Sequence, residues 1–234
     1  MLRVTSLLHA AARGLLVTVA AVGFAARAGA QSSPIATLFS TGVLADGSRA
    51  ADGLADLHYQ AYNWTTAGTL GSLLGPAYLI ANGYQDYYPA RPSQTSRYIW
   101  ASAGGSDPAN VAFRTTFDLT GFDLATVKLL GQFAADNDVF GVYLNGVLVN
   151  SANPGFAVPA TLSLTSGFAS GLNTLDFYVN NSGGPAGFIF GANGAGSPPV
   201  VNPPVSTVPE PGSVVLLAAG LAGVMVVGRR VRTA

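Results

Sequence analysis

The sequence predicts an all-β fold, an antiparallel β-sandwich, carried between two terminal targeting segments. Three observations predict it. Apolar and polar residues alternate with a period of two through the middle of the chain. The 234 residues include 29 glycines and 14 prolines but only 9% charged residues, a balance that suits strands and turns rather than helices built on Ala, Leu, Glu and Lys. No span of the body keeps a helical period over three turns.

The elements follow in order. "MLRVTSLLHAAARGLLVTVAAVGFAARAGAQ" carries Arg3 and Arg13, an apolar stretch from Gly14 to Ala26, and the small-residue exit Ala28-Gly29-Ala30. This predicts a signal peptide over 1–30, cleaved after Ala30 with Ala28 as the second site; an uncleaved anchor is the other reading. The ectodomain is placed at 31–197, its folded part from about Pro34 to about Asn193. "RYIWAS" reads as a short strand. In "NVAFRTTFDLTG", Val111, Phe113, Thr115, Phe117 and Leu119 share one face, with Arg114, Thr116 and Asp118 on the other. "TVKLLGQFAA" is a further strand. "VFGVYLNGVLVN" reads as a hairpin in which Asn145-Gly146 supplies a type I′ turn. "ATLSLTSGF" follows, then "NTLDFYVNN", with Leu175, Phe177 and Val179 inward and Asp176, Tyr178 and Asn180 outward, and then "PAGFIFGA". The glycine-rich "GGPAGFIFGANGAG" lacks a Lys and a following helix, so it is read as turn chemistry and not as a phosphate loop.

Residues 198–208, with Pro198, Pro199, Pro203 and Pro204, form an extended polyproline-like spacer. Residues 209–234 close the chain. Val214 to Val227 is apolar apart from glycine, and a helix over about 213–228 would be about 25 Å long, enough to cross a slightly thinned bilayer. Pro209 and Pro211 stop that helix from extending backwards, and Arg229, Arg230 and Arg232 directly after it predict a cytoplasmic C-terminus.

Charge and composition exclude several function classes. Between Gln31 and Val208 stand five positive charges (Arg49, Arg91, Arg97, Arg114, Lys128) against ten aspartates, so the body is acidic and unsuited to nucleic acid. The chain has no cysteine, which removes disulfides, thiolate metal sites and cysteine nucleophiles. His58 is the one histidine outside the leader, too little for a histidine-rich zinc site.

Two resemblances add to this. Val208-Pro209-Glu210-Pro211, the short apolar helix and the terminal arginines resemble the PEP-CTERM sorting signal of Gram-negative bacteria. The resemblance implies export, transient anchoring in the inner membrane, processing near Pro209–Pro211 by an exosortase-type enzyme, and delivery to the envelope or extracellular polymer matrix. "FRTTFDLTGFD", "AADNDVFGVYLNG" and "SGFASGLNTLDFYVNNSGGPAGF", with the opening "STGVLADGSRAADGLADLHY", resemble bacterial surface proteins with galactose-binding-like jelly-roll domains. That implies a jelly-roll fold and points to carbohydrate as a ligand class, in some relatives with a structural calcium.

Four groups of residues are candidates for chemistry. Tyr84, Asp86, Tyr87, Tyr88 and Arg91 lie in the Gly- and Pro-bounded "NGYQDYYPARP"; rings stack on sugar faces and the charged pair bonds hydroxyls, while the alternative is packing over the sandwich edge. Asp136, Asn137 and Asp138 form the densest cluster of oxygen ligands, a candidate calcium site or simply a capped turn. His58 beside Asp56 suggests a catalytic pair, but no G-x-S-x-G elbow flanks any serine. No pair of aspartates is marked by spacing for glycoside hydrolysis. Trp64 and Trp100 read as core or edge residues, and Asn63-Trp64-Thr65 matches a glycosylation acceptor. The expected role is a non-enzymatic binding or scaffolding module, with polysaccharide as candidate partner. A self-associating matrix protein is the alternative, and a polysaccharide hydrolase the third reading.

Overall fold

The computed structural model describes residues 31–200. The leader with Ala28 and Ala30, the motif Val208-Pro209-Glu210-Pro211, the predicted membrane helix and the terminal arginines lie outside the described residues. Among the described residues no helix is long and apolar enough to cross a membrane.

All regular structure described is β. The strands are β1 (Ser33–Pro34), β2 (Ala55–Asn63), β3 (Leu73–Leu79), β4 (Ile99–Trp100), β5 (Asn110–Asp118), β6 (Asp123–Asp136), β7 (Asp138–Leu144), β8 (Val147–Asn150), β9 (Ala160–Leu164), β10 (Leu172–Asn180) and β11 (Gly187–Ser197). They pair antiparallel in the order β8-β7-β10-β5-β2-β3-β4-β11-β6-β9, with β1 added to β11. The sandwich expected from the sequence is therefore one continuous sheet rolled nearly into a barrel. The two-residue β4 joins its two halves, because Ile99 pairs with both Leu79 of β3 and Phe188 of β11, and β8 and β9 remain as the outer strands.

Rolling brings the apolar faces of the two halves together. Phe113 of β5 stacks on Phe188 of β11 with centroids 5.0 Å apart, and Phe177 of β10 lies 4.8 Å from both Phe188 and Phe190. Offset and tilted rings at these distances add to the area they bury. The alternation in β5 is as the sequence predicts, with Val111, Phe113, Thr115, Phe117 and Leu119 all buried. The Asn145-Gly146 turn also forms, both residues having the positive φ (51° and 81°) that type I′ requires.

Three departures have physical causes. Asp176 and Tyr178 face away from the main core, as expected, but are buried there under a second cluster of Trp64, Tyr62, Leu70 and Tyr143. The Trp64 indole donates to the carbonyl of Val179 at 3.0 Å, where the β10–β7 register shifts. Second, the strand expected in "PAGFIFGA" runs on through the glycine-rich "NGAGS", where the sequence reading expects turn. Its glycines mark close packing: a Cβ at Gly194 would lie 2.7 Å from Leu38, and one at Gly196 2.8 Å from Phe122. Third, β2 and β3 carry no clean sequence signal. Pro76 and Gly75 interrupt β3, and β2 places the polar Asp56 inward beside Tyr59 and Ala61.

Candidate functional site

The tyrosine loop spans the connection from β3 to β4 and is fixed from inside. Gln85 is buried and its amide acts as a strand partner for Tyr98, donating to the Tyr98 carbonyl at 2.6 Å and accepting from its N–H at 2.8 Å. The Tyr98 hydroxyl donates to the Ala90 carbonyl at 3.2 Å, and Ser93 and Ser96 bond each other's backbone N–H. Tyr88 is fully buried; its ring lies 4.4 Å from Tyr98 and its hydroxyl donates to Asp136 Oδ2 at 3.0 Å. It therefore anchors the loop and offers no face to a ligand, a correction to its place among the sugar-stacking candidates. The cause is local: Tyr88 points back toward the end of β6, where Asp136 is its polar partner.

The other members of the loop reach solvent. Tyr87 is 66% exposed and meets Tyr84 edge-on with centroids 5.3 Å apart. Asp86, with its side chain 90% exposed, lies 3.7 Å from Arg91 and 3.7 Å from Arg97. Arg97 also pairs with Asp52. The exposed Asp86–Arg91 pair contributes little to stability and leaves its donors available. Beside them Arg49, Arg91, Pro92, Ser93 and Gln94 line a polar depression of 430 Å³. Of the five loop residues read from the sequence, four thus converge on one rim and the fifth supports it from below.

Burial raises the Tyr88 hydroxyl above its ordinary value, helped by the charge of Asp136. Burial likewise raises Asp136, partly offset by the hydrogen bond from Tyr88. A carboxyl raised in the folded state favours folding below its unfolded pKa, and that stability is lost as pH rises through the folded value. The stability of the wild type relative to Asp136→Asn is therefore expected to be greater at about pH 3 than at about pH 7 in urea titrations. A difference constant across that range would show that Asp136 titrates normally.

The three residues of the candidate calcium site are committed to different partners. Asp136 accepts from Tyr88; Asn137 Oδ1 accepts from the Ser182 N–H at 2.8 Å; Asp138 Oδ1 accepts from the Asn153 amide at 2.8 Å. Among the described residues no group of three His, Asp or Glu side chains is placed to hold a metal ion. Asp56 and His58 are likewise not arranged for proton transfer. Both Asp56 oxygens accept backbone N–H groups, from Gly42 at 2.6 Å and from His58 at 2.8 Å. The imidazole stacks on Phe39 at 3.6 Å with its Nε2 enclosed and unpartnered. Burial lowers the His58 pKa, with the nearby Asp56 charge opposing, so the ring is a neutral packing element at pH 7.

Residues 207–232 match the PEP-CTERM protein-sorting motif. The PEP-CTERM tail supports an exported protein with a membrane-anchored C-terminal signal, handled by an exosortase-type partner. No curated protein matches the chain. Solved structures similar to the chain include a β-glucosidase from Kluyveromyces marxianus, at 10% identity over 62% of this chain and 17% of that one, with a TM-score of 0.28. The GH31 α-xylosidase from Xanthomonas citri is similar at 11% identity over 71% of this chain and 17% of that one, with a TM-score of 0.25. The chain thus spans under a fifth of either enzyme.

Sequence reasoning missed Arg49, Gln94 and Phe156 at this rim. Arg49 bonds the Gln94 carbonyl across 45 residues, and Phe156 packs 5.9 Å from Tyr88 out of the loop before β9. Only the rolled sheet brings these segments together, so no local pattern signals them.

Proposed function

We propose that this exported protein is a non-catalytic binding module of the cell envelope or extracellular matrix, and that it takes polysaccharide at the rim of the tyrosine loop. The observation that carries this reading is the exposed Tyr87 ring, next in sequence to the Asp86 that lies 3.7 Å from Arg91, on a loop held by a buried, hydrogen-bonded anchor. A rigid aromatic face stacks on a sugar ring at low entropic cost, and the charged pair bonds hydroxyls. The reading places the protein with its C-terminus cytoplasmic before processing, and treats the rolled sheet as a relative of the galactose-binding-like jelly rolls. No metal enters it.

Retention of the full chain in detergent on immobilised exopolysaccharide, and on a glycan array, tests it. Tyr87→Ala is expected to reduce retention about tenfold, given roughly 1–3 kcal/mol for an exposed stacking ring. Unchanged retention by Tyr87→Ala, or none by the wild type, would sink the reading.

A self-associating scaffold is the second reading. β8 ends the strand order, and its Val147 and Leu148 are 65% and 50% exposed, a free edge suited to pairing with another strand. Concentration-dependent oligomers in light scattering, without glycan retention, would favour it.

A further inference from the structure

We propose that the polymer is an acidic polysaccharide whose path runs along a trough from a neutral groove on the β9–β6–β11 face to a cationic pocket at Arg49 and Arg91. This deepens the polysaccharide reading and rests on it.

The trough consists of two depressions, of 480 and 430 Å³, that share Pro92 and Ser93 as a common wall. The larger has no ionisable lining residue. Its polar lining includes Gln132 and Thr161, cross-strand partners on β6 and β9, together with Asn193 of β11. All three residues are exposed, so their polar groups face solvent in the groove. The floor is hydrocarbon and bare backbone. A Cβ at Gly191 would lie 2.8 Å from Pro92, so close packing keeps this position bare. Exposed amides and a hydroxyl beside Leu130 and the bare glycine backbone suit the hydroxyl rim and C–H faces of neutral sugar units.

The smaller depression differs in charge. Arg49 and Arg91 line it and no carboxylate does. Arg49 forms no ion pair among the described residues; its Nε and Nη2 are held by the Gln94 carbonyl. A guanidinium fixed by a neutral carbonyl keeps its full charge and a free N–H edge, which favours a planar carboxylate. Arg91 has only the exposed Asp86 at 3.7 Å as counter-charge. In a body with five positive charges against ten aspartates, two arginines in a carboxylate-free pocket are a local reversal of sign. The charge order along the trough fits a chain of neutral units punctuated by uronate-type acids.

Binding of the full chain in detergent to polygalacturonate and to dextran tests the assignment. Polygalacturonate should bind with salt-dependent affinity and dextran much more weakly. Arg49→Gln, at an exposed position, should weaken polygalacturonate about tenfold, as for loss of one charge-assisted hydrogen bond. Gln132→Ala with Thr161→Ala should weaken it several-fold while leaving the salt dependence unchanged. Dextran held as tightly as polygalacturonate, or an Arg49→Gln affinity within about twofold of wild type, overturns the acidic class while glycan binding at Tyr87 stands. Retention of neither polymer, nor of any other glycan, overturns both.

Discussion

Arg114→Ala is expected to destabilise the domain by about 3–5 kcal/mol, as measured by urea unfolding at neutral pH. Arg114 and Asp176 face each other across β5 and β10, and the guanidinium grips the carboxylate at two points, 2.6 and 2.8 Å. The two ends are unequally buried: the Asp176 side chain is 3% exposed and that of Arg114 31%. Truncating the arginine therefore leaves a charge stranded under Trp64, Tyr178 and Tyr143, and the cost is that of an uncompensated buried carboxylate rather than of the pair itself. The arginine also lies 5.9 Å over the Tyr62 ring, so packing is lost with the charge. Adding Asp176→Ala should recover part of the loss, because the stranded charge goes with it. A double variant as unstable as the sum of the singles, or a single-variant loss under about 1 kcal/mol, would contradict this account.

Phe177→Ala is expected to cost a similar amount, about 3–5 kcal/mol, for a different reason. Its ring lies at the junction of the two halves of the sheet, 4.8 Å from Phe188 and Phe190 and 5.8 Å from Phe133. Strands on all sides fix those neighbours, so the void cannot collapse and the cavity term adds to the lost transfer energy. Against a typical domain stability of about 5–15 kcal/mol, this change brings the protein close to unfolding. Leu172→Ala, at the start of the same strand and 67% exposed, provides the control and should stay within about 0.5 kcal/mol of wild type. Calorimetric midpoints of the two variants compare burial with composition on one strand. Equal midpoints would mean that the Phe177 site relaxes freely.

Much of the fold was legible where one face of a strand meets the core and the other meets water. Val111 to Leu119 and the Asn145-Gly146 hairpin are of that kind, since side-chain period and turn chemistry are local properties. Legibility failed where both faces are covered or where polar groups turn inward. β10 buries Asp176 and Tyr178 because a distant segment folds over them, and β2 directs Asp56 inward to bond Gly42. The candidate site divides in the same way. The loop residues were marked by their local composition, but adjacent tyrosines received opposite roles, Tyr87 open and Tyr88 sealed against Asp136. Nothing in a dipeptide distinguishes them; the partner is 48 residues away.

The sequence by itself determined the β class and the sorting motif. Alternation, turn glycines and a sorting tail are written in neighbouring residues, and each acts through local geometry or through recognition of a short segment. The tertiary structure alone decided that the sheet rolls into one body, that Tyr88 and Asp136 serve as an anchor, and that Arg49 meets Arg91 in one depression. Those outcomes depend on strand order and on which groups lose water together, and neither quantity is carried by any single stretch of chain.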